Sequence, residues 1–547
     1  MTTRIKVRHD TYSNWYDTNP VLALGEPGFE TDNNRVKYGD GTTHWRDLPY
    51  TGAGANQAGS INIGYEAGYI DQAGEAIAIG NYAGGCNQHY HAVAIGQCAG
   101  NECQQADAVA IGRSAGYYCQ GFGSVAVGQV AGNCEQGTHA VAIGYAAGRY
   151  QQKNHATAVG TASGRNCQSE ASVAVGYYAG YNCQGQGPWC SGGAVAIGEY
   201  AGECYQQFHA VAIGRCAGGC DQGFSAVAIG RSAGYNSQGH GSVAIGKNAG
   251  RCDQENNAVA IGNYAAQYNQ RCEAVAIGYY AGQCDQYCGA VAIGSYAGEC
   301  YQRCHAVAVG ASAGQCCQGY VAVAIGRSAG ACNQSSSAVA IGHVAASCCQ
   351  GQGAVAVGSY AGRYCQGQNS VAVGHGAAQE WQKQYSVAIG AEAAHGYGYS
   401  SVNYVSGDGA NTITVDNAQY VYPGMYIEWA QYGSPTTNGT VTVSTVVGND
   451  VTFDAPIGNT DPVFGYIQFF GGQGSGAVAI GPGASYNAQH PNSIVISTGE
   501  ISANSAGANT TVIQTLRTSS ANVVPSGFSP VYYNPVTGEL IIQNLVL

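Results

Sequence analysis

A short alternation of small and branched apolar residues recurs along the chain at a fixed interval. One copy runs from Ala92 to Ile95 and closes on Gly96, with Val and Ile alternating with Ala. The closing glycine returns every 16 residues between Gly64 and Gly390, apart from one step of 22 between Gly176 and Gly198. Alternation with period two predicts a strand, and a repeat of this regularity predicts a solenoid of stacked coils.

Each repeat is predicted to contain two short strands and two turns. The closing glycine and the pair Ala99–Gly100, with its equivalents, mark turns where φ can be positive. The Val and Ile side chains are expected to stack into an apolar core, and the Ala side to allow close approach of another backbone, such as a neighbouring chain. The predicted fold is therefore all-β: a parallel β-solenoid, or β-roll, of 16-residue coils.

A glutamine stands eight residues after each closing glycine up to Gly374, including Gln88, Gln104, Gln120, Gln286 and Gln302. Side-chain amides stacked in this way can bond to the amides above and below, as in cross-β ladders. Because the whole column carries the same residue, we interpret these glutamines as structural and not catalytic.

Many of the 23 cysteines follow the same repeat. Five consecutive coils carry Cys six residues after the glycine: Cys284, Cys300, Cys316, Cys332 and Cys348. Neighbouring coils are expected to lie about 4.8 Å apart, within the Cα range of disulfides. Two alternatives remain open for this column: disulfides between adjacent coils, or a row of packed thiols.

Composition narrows the functional classes. The chain has 84 Gly and only 10% charged residues, its net charge is −12, and basic residues do not cluster. Nucleic-acid binding and membrane insertion are therefore not expected. A secretory signal is not expected either, because the first eight residues lack an apolar segment. Carboxylates are sparse and follow the repeat, so we expect no enzyme, no cofactor and no metal site.

The first 52 residues differ in composition from the repeat. They contain an alternating segment at 4–8, the sequence GEPGFETD at 25–32 and a GDGT turn at 39–42 with Trp45 just after. This combination resembles the N-terminal module of phage tail fibres and tropism determinants, and similar modules in large DNA viruses. The resemblance implies a small trimeric β domain near the virion-attached end; a capping domain for the solenoid is the alternative.

The repeat itself resembles the head repeats of trimeric autotransporter adhesins, which are left-handed parallel β-rolls assembled as trimers. The resemblance covers about 330 residues and implies a homotrimer. The 16-residue period is slightly longer than is usual in that family, and neither a coiled-coil stalk nor a membrane-anchor barrel is recognisable.

Residues 396–472 interrupt the repeat with alternating segments and turns that predict a small antiparallel β domain. Insertions in repeat arrays often bind partners. The candidate receptor-binding residues are aromatic: Tyr420, Tyr422, Tyr426, Trp429 and Tyr432 in the insertion, with Phe464 and Tyr466, and Trp189 on the longer coil. An equally simple explanation for half of the insertion's aromatics is that they fill its own core.

The predicted organisation has five parts. They are an attachment or capping β module (1–52), the shaft (53–395), the inserted domain (396–472), a short resumed repeat (473–500) and a C-terminal β segment (501–547). Residues 531–540 resemble the segment that precedes the intramolecular chaperone of viral fibres. We interpret the chain as a homotrimeric virion-surface fibre presenting a domain to a host glycan or protein receptor; the alternative is a cellular surface adhesin or appendage subunit.

Overall fold

The computed structural model describes most of the repeat continuously and the C-terminal part in shorter stretches. The described residues are 7–32, 35–48, 50–51, 59–185, 192–395, 399–402, 404–407, 412–415, 426–428, 440–447, 450–453, 467–470, 473–482, 484–485, 489–497, 511–513, 531–533 and 540–542. The chain divides into two compact units, residues 1–352 and 353–547.

The first unit begins with a small four-stranded domain, which we call the N-terminal domain (7–51). Its strands are Arg8–Asp10, Pro27–Glu30, Arg35–Tyr38 and Tyr50–Thr51, in that order across the sheet. The first pair is parallel and the other two pairs are antiparallel. One helix, Tyr12–Thr18, begins after Thr11, whose side chain accepts a hydrogen bond from the backbone N–H of Asn14. The sequence analysis missed this helix.

Four large side chains form the core of the N-terminal domain: Trp15, Leu22, Trp45 and Leu48. The rings of Trp15 and Trp45 stack with centroids 4.2 Å apart. Gly28 lies against this core, because a Cβ there would stand 2.5 Å from Cζ3 of Trp45. Gly28, the second glycine of the GEPGF motif, is therefore required by packing.

In the first unit each coil contributes a strand built on Val-Ala-Ile or a close variant, and we call these the VAI strands. They are Ile61–Ile63, Ile77–Ile79, Val93–Ile95, Val109–Ile111, Val125–Val127, Val141–Ile143, Thr157–Val159, Val173–Val175, Val195–Ile197, Val211–Ile213, Val227–Ile229, Val243–Ile245, Val259–Ile261, Val275–Ile277, Val291–Ile293, Val307–Val309, Val323–Ile325 and Val339–Ile341.

A second strand in most coils ends on the repeated glutamine, and we call these the Gln strands. They are Cys86–Gln88, Glu102–Gln104, Tyr118–Gln120, Cys134–Gln136, Asn166–Gln168, Asn182–Gln184, Cys204–Gln206, Cys220–Gln222, Asn236–Gln238, Cys252–Gln254, Tyr268–Gln270, Cys284–Gln286, Cys300–Gln302, Cys316–Gln318, Cys332–Gln334 and Cys348–Gln350.

The VAI strands pair in parallel with those of the adjacent coils, residue against equivalent residue, and so do the Gln strands except at Tyr150, which forms only isolated bridges. Val93, for example, pairs with Val109, and Gln104 with Gln120. The register is maintained across the longer coil, where Val173 pairs with Val195. The predicted all-β parallel solenoid of 16-residue coils is confirmed, although the coils that contain Gln72 and Gln152 lack the second strand.

The predicted orientation of the VAI strands is wrong. In most coils the central residue of the strand is a fully buried Ala, and a small residue before the strand and another in the turn are buried too, as at Ala94, Ala92 and Ala99. The flanking Val and Ile are half-buried or exposed and point outward. Alanine therefore forms the interior of the coil, and the branched side chains form its outer face.

The repeated glutamines explain why only alanine fits inside. Gln104 is fully buried. Its Nε2 donates to Oε1 of Gln120 (3.0 Å) and to the carbonyl oxygens of Val93 (2.9 Å) and Ala108 (3.1 Å). The amide thus links neighbouring coils and also spans the interior from one sheet to the other. With glutamine in this space, a Val or Ile on the facing strand would have no room.

The glycines follow from the same close stacking. Gly96 has φ of +125°, and a Cβ there would stand 2.8 Å from the carbonyl carbon of Gly112 in the next coil. At Gly100, with φ of +52°, a Cβ would meet Oε1 of Gln104 at 2.6 Å. The predicted positive-φ turns are confirmed, and their glycines lie against a neighbouring coil or the ladder.

The second unit contains more of the same solenoid. Its VAI strands are Val355–Val357, Val371–Val373, Val387–Ile389, Val478–Ile480, Ile494–Ile496 and Thr511–Ile513, and its Gln strand is Tyr364–Gln366. Ala388 pairs directly with Ala479, and Nε2 of Gln382 donates to Oε1 of Gln473 at 2.9 Å. The solenoid therefore resumes in register after the interruption.

The interrupting segment forms its own sheet, with every observed pair antiparallel. Its strands are Tyr399–Val402, Tyr404–Gly407, Thr412–Val415, Tyr426–Glu428, Thr440–Val447, Asp450–Phe453 and Ile467–Phe470. A final antiparallel pair joins Val531–Tyr533 to Leu540–Ile542. Within the described residues, no helix has the length and apolar character needed to cross a membrane.

Candidate functional site

The buried glutamines form a continuous ladder within each unit. The predicted ladder residues Gln88, Gln104, Gln120, Gln286 and Gln302 are all fully buried, and each donates to the next at about 3.0 Å, as Gln286 does to Gln302. The amides saturate one another and the nearby carbonyls, and no solvent reaches them. Their role in the structure is to hold the coils in register.

The outer face of the VAI strands is a continuous apolar stripe, which we call the Val/Ile stripe. In the first unit it contains the outward Val and Ile of each coil, and Ile111, Ile293 and Ile325 are 37%, 37% and 39% exposed. Stacked neighbours cover part of each side chain, but the outer surface remains open in the single chain. An apolar surface this regular is typical of an interaction face.

The five predicted column cysteines lie in register at the start of their Gln strands. Cys284 pairs with Cys300, Cys300 with Cys316, Cys316 with Cys332 and Cys332 with Cys348. All are half-buried free thiols, as is every cysteine in the described residues that is not exposed. Burial, with the neighbouring Cys284, raises the pKa of the Cys300 thiol to about 11. The structure contains the column as unbonded thiols, and disulfides between adjacent coils remain a prediction.

Tyrosine side chains form further stacks on the solenoid. The rings of Tyr264 and Tyr280 stack with centroids 4.8 Å apart, and those of Tyr280 and Tyr296 at 5.4 Å. Each ring face is covered by the next ring, so the rings present mainly their edges. This arrangement suits lateral packing better than face-on stacking of a sugar.

The predicted receptor-binding aromatics fall almost entirely outside the described residues. This applies to Tyr420, Tyr422, Trp429 and Tyr432, and to Trp189, Phe464 and Tyr466. Tyr426 lies in the strand Tyr426–Glu428, whose backbone alone is described. The assignment of receptor contact to these residues remains a prediction.

The N-terminal domain has a charged cluster beside its aromatic core. The Lys37 ammonium donates to the carbonyl oxygen of Trp45 at 2.6 Å and lies over the ring of Tyr50, 4.3 Å from its centroid. Burial lowers the pKa of Lys37, and the nearby Glu30 carboxylate opposes that shift. Glu30 is itself fully buried and accepts a hydrogen bond from the Tyr50 hydroxyl. These contacts tie the sheet to the segment that follows Trp45.

The GDGT turn is held by its aspartate. Asp40 accepts hydrogen bonds from the backbone N–H groups of Thr42 (2.9 Å) and Thr43 (2.6 Å) and from the Thr43 hydroxyl (2.5 Å). These bonds stabilise the charged form and lower the pKa of Asp40. The motif residues noted in the sequence therefore act as turn and packing residues of this domain.

The sequence analysis missed one cluster of potential metal ligands, formed by Glu255, Cys272 and Cys288. The available signal was a second cysteine position, ten residues after the closing glycine, occupied at Cys272, Cys288 and Cys304. The sequence could not link the Glu255 carboxylate to these cysteines, because Glu255 lies in the preceding coil and at a different position of the repeat.

Comparison with known proteins gave one family match, and it falls on the N-terminal domain. A search of curated proteins and a search of solved structures found no match. Residues 5–43 match the family model described as the major tropism determinant N-terminal domain. The chain thus carries an N-terminal domain of the kind found in the major tropism determinants of phages, followed by a long parallel β-solenoid.

Proposed function

We propose that this protein is a receptor-binding fibre of a virion, anchored through its N-terminal domain and stiffened by the solenoid. The observation that carries the proposal is the match of residues 5–43 to a tropism determinant domain, directly ahead of a fibre-like repeat. A solenoid with a continuous internal ladder resists bending and suits a spacer between a particle and a host surface. In this proposal the protein binds a receptor and does not catalyse a reaction, and it is located on the virion surface.

The fibre is a homotrimer in this proposal, assembled through the Val/Ile stripe. The sequence analysis assigned close contact between chains to the Ala side, but those alanines are buried within the chain. The exposed apolar surface is the stripe of Val and Ile, which includes Ile293 and Ile325. Symmetric assembly with the stripes facing inward covers all of them at once. The resemblance of the repeat to trimeric adhesin heads supports three copies.

Charged substitutions on the stripe test the assembly. We expect the Ile293→Asp/Ile325→Asp variant to be monomeric when its mass is measured under native conditions. In a trimer, the two new carboxylates of each chain would be buried against the same carboxylates of the other chains. The matched control, Tyr301→Asp, alters a residue of the Gln strand that is 56% exposed and should remain trimeric. A wild-type protein that is monomeric at micromolar concentration contradicts the assembly.

Receptor contact is assigned to the insertion, residues 396–472. The shaft presents similar chemistry in every coil, whereas the insertion adds a separate antiparallel sheet to the array. The solenoid needs nothing from the insertion for its register, since Gln382 bonds to Gln473 as it would to the next coil. The partner is a host-surface glycan or protein; the net charge of −12 does not favour nucleic acid.

The register of the glutamine ladder shows which residues can be removed without disturbing the repeat. Gln382 and Gln473 are 91 residues apart, whereas their ladder neighbours are 16 apart, so 75 residues are surplus. Removing residues 397–471 restores a 16-residue coil. The variant should remain trimeric and keep the circular dichroism of the solenoid but lose binding of labelled protein to host cells.

The control is a deletion of one whole coil from the shaft, residues 257–272, which should keep full binding. If the excision variant binds cells like the wild type, the insertion is not the receptor site. If the wild-type protein binds no host cell and no virion, the fibre proposal itself is wrong.

A further inference from the structure

Three successive coils bring a carboxylate and two thiols together on the surface of the first unit. One oxygen of Glu255, Oε2, lies 2.9 Å from Sγ of Cys272 and accepts the backbone N–H of Cys272 at 3.1 Å. The thiol of Cys288 completes the group, and one ligand atom from each residue lies within 4.8 Å of the others. Glu255 and Cys272 are half-buried, and Cys288 is exposed.

The coil stacking holds this group in place. The carbonyl oxygen of Cys272 accepts the N–H of Gly289, and that of Cys288 accepts the N–H of His305, each at 3.0 Å. The two cysteines thus occupy the same position in adjacent coils, whose backbones are about 4.8 Å apart in the stacking direction. Among the coils, cysteine occurs at this position only at 272, 288 and 304.

We propose that Glu255, Cys272 and Cys288 bind a divalent ion of the zinc class, with a fourth position open to water or another ligand. Thiolate and carboxylate ligands lie about 2.3 Å and 2.0–2.2 Å from zinc, so tetrahedral ligand atoms are roughly 3.5–3.8 Å apart. In the structure the three ligand atoms lie within 4.8 Å of one another, so binding an ion requires them to shift by about an ångström. Soft thiolates favour zinc over magnesium or calcium.

The charges around the cluster match a divalent ion. Arg271 donates to Oε1 of Glu255 at 2.6 Å, which leaves Oε2 facing the thiols. With both thiols ionised, three negative charges are balanced by the ion and the Arg271 guanidinium. Sγ of Cys272 lies 2.9 Å from Oε2 of Glu255, in position to donate a hydrogen bond that an ion would replace. Metal binding therefore displaces thiol protons.

The thiol column at 284–348 differs from this cluster in its ligand set. Its cysteines lie in one row, and none of them belongs to a three-ligand group within the described residues. The column therefore offers thiols in a row but no preformed set of three ligand atoms of the kind found at Glu255, Cys272 and Cys288. This difference separates the proposed site from adventitious binding to the many other thiols of the chain.

Zinc titration of the reduced, full-length protein by calorimetry tests the site, with three variants alongside. We expect one tight equivalent per chain, lost in Cys272→Ser and weakened about tenfold or more in Glu255→Gln. The matched control, Cys316→Ser/Cys332→Ser, removes two column thiols and should keep the tight equivalent. Circular dichroism verifies that each variant is folded.

Zinc K-edge absorption of the one-equivalent complex should report a mixed sulfur and oxygen shell. Three results would overturn the proposal: no tight equivalent in the wild type, an unchanged tight equivalent in Cys272→Ser, or an all-sulfur shell. Metal retained by the wild type but lost in the Cys316→Ser/Cys332→Ser control would assign binding to the thiol column instead.

Discussion

The N-terminal domain and the solenoid of the first unit have opposite kinds of core. In the N-terminal domain two stacked tryptophans and two leucines fill one compact centre. In the solenoid the buried apolar residues are almost all alanines, and the largest buried side chains are glutamines. The first core depends on the burial of large apolar surface, the second on methyl groups and a repeated amide hydrogen bond.

This difference determines how each region should respond to substitution. A compact centre concentrates much of its stability in a few side chains, so losing one affects the whole domain. A solenoid distributes stability over equivalent coils, each interacting mainly with its neighbours. Damage to one coil should therefore remain local, unless it removes a group that the adjacent coils need.

The largest effect is expected in the N-terminal domain. Trp45→Ala should cost about 3–5 kcal/mol and unfold that domain, because it removes the stacking partner of Trp15 and leaves a cavity. Denaturant unfolding followed by tryptophan fluorescence measures the loss. Tyr12→Ala, at a residue that is 45% exposed, is the control and should stay close to wild type. Unfolding of the solenoid together with the domain in Trp45→Ala would contradict the separation of the two cores.

The next largest effect is expected in the ladder. Gln286→Leu keeps the side-chain volume but removes the donor to Gln302 and to the carbonyl oxygens of Val275 and Ala290. Each buried polar group left without a partner costs about 1–3 kcal/mol. Thermal unfolding by circular dichroism should show a lowered Tm for this variant. Gln129→Leu, at an exposed position, is the matched control, and equal Tm values for both variants would show that the ladder is not stabilising.

Two glycines of one coil should differ in sensitivity. Gly278 has φ of +134°, and a Cβ there would stand 2.5 Å from the carbonyl oxygen of Gly294. Gly278→Ala should therefore cost about 1–3 kcal/mol in backbone strain alone. Gly282→Ala should cost less, because the equivalent position of the preceding coil is Ala266, with φ of 45°. Urea midpoints of the two variants make the comparison, and the reverse order would refute the assigned contacts.

The smallest effect is expected in the surface tyrosine stack. Tyr280→Ala removes two stacking contacts, with Tyr264 and Tyr296. Aromatic pairs contribute about 0.5–1.5 kcal/mol beyond their buried area, and solvent exposure places this stack at the low end. A shift in Tm as large as that of Gln286→Leu would mean that the exterior stabilises the coils as much as the ladder does.

Much of the solenoid could be predicted because its information is periodic. The interval between glycines predicted the coil length, and the glutamine column predicted an amide ladder. The alternating segments near Thr412 and Asp450 likewise predicted strands that the structure contains. The helix Tyr12–Thr18 was missed because its seven residues are too short to show a helical period.

The sequence by itself determined the period, the strands, the turns and the ladder, whereas only the tertiary structure decided which face of each strand points inward. Hydrophobicity favoured Val and Ile for the interior, but a coil spanned by a glutamine amide has room only for a methyl group on the facing strand. The proximity of Glu255 to Cys272 was likewise decided by stacking, since residues 17 apart meet only when successive coils lie in contact.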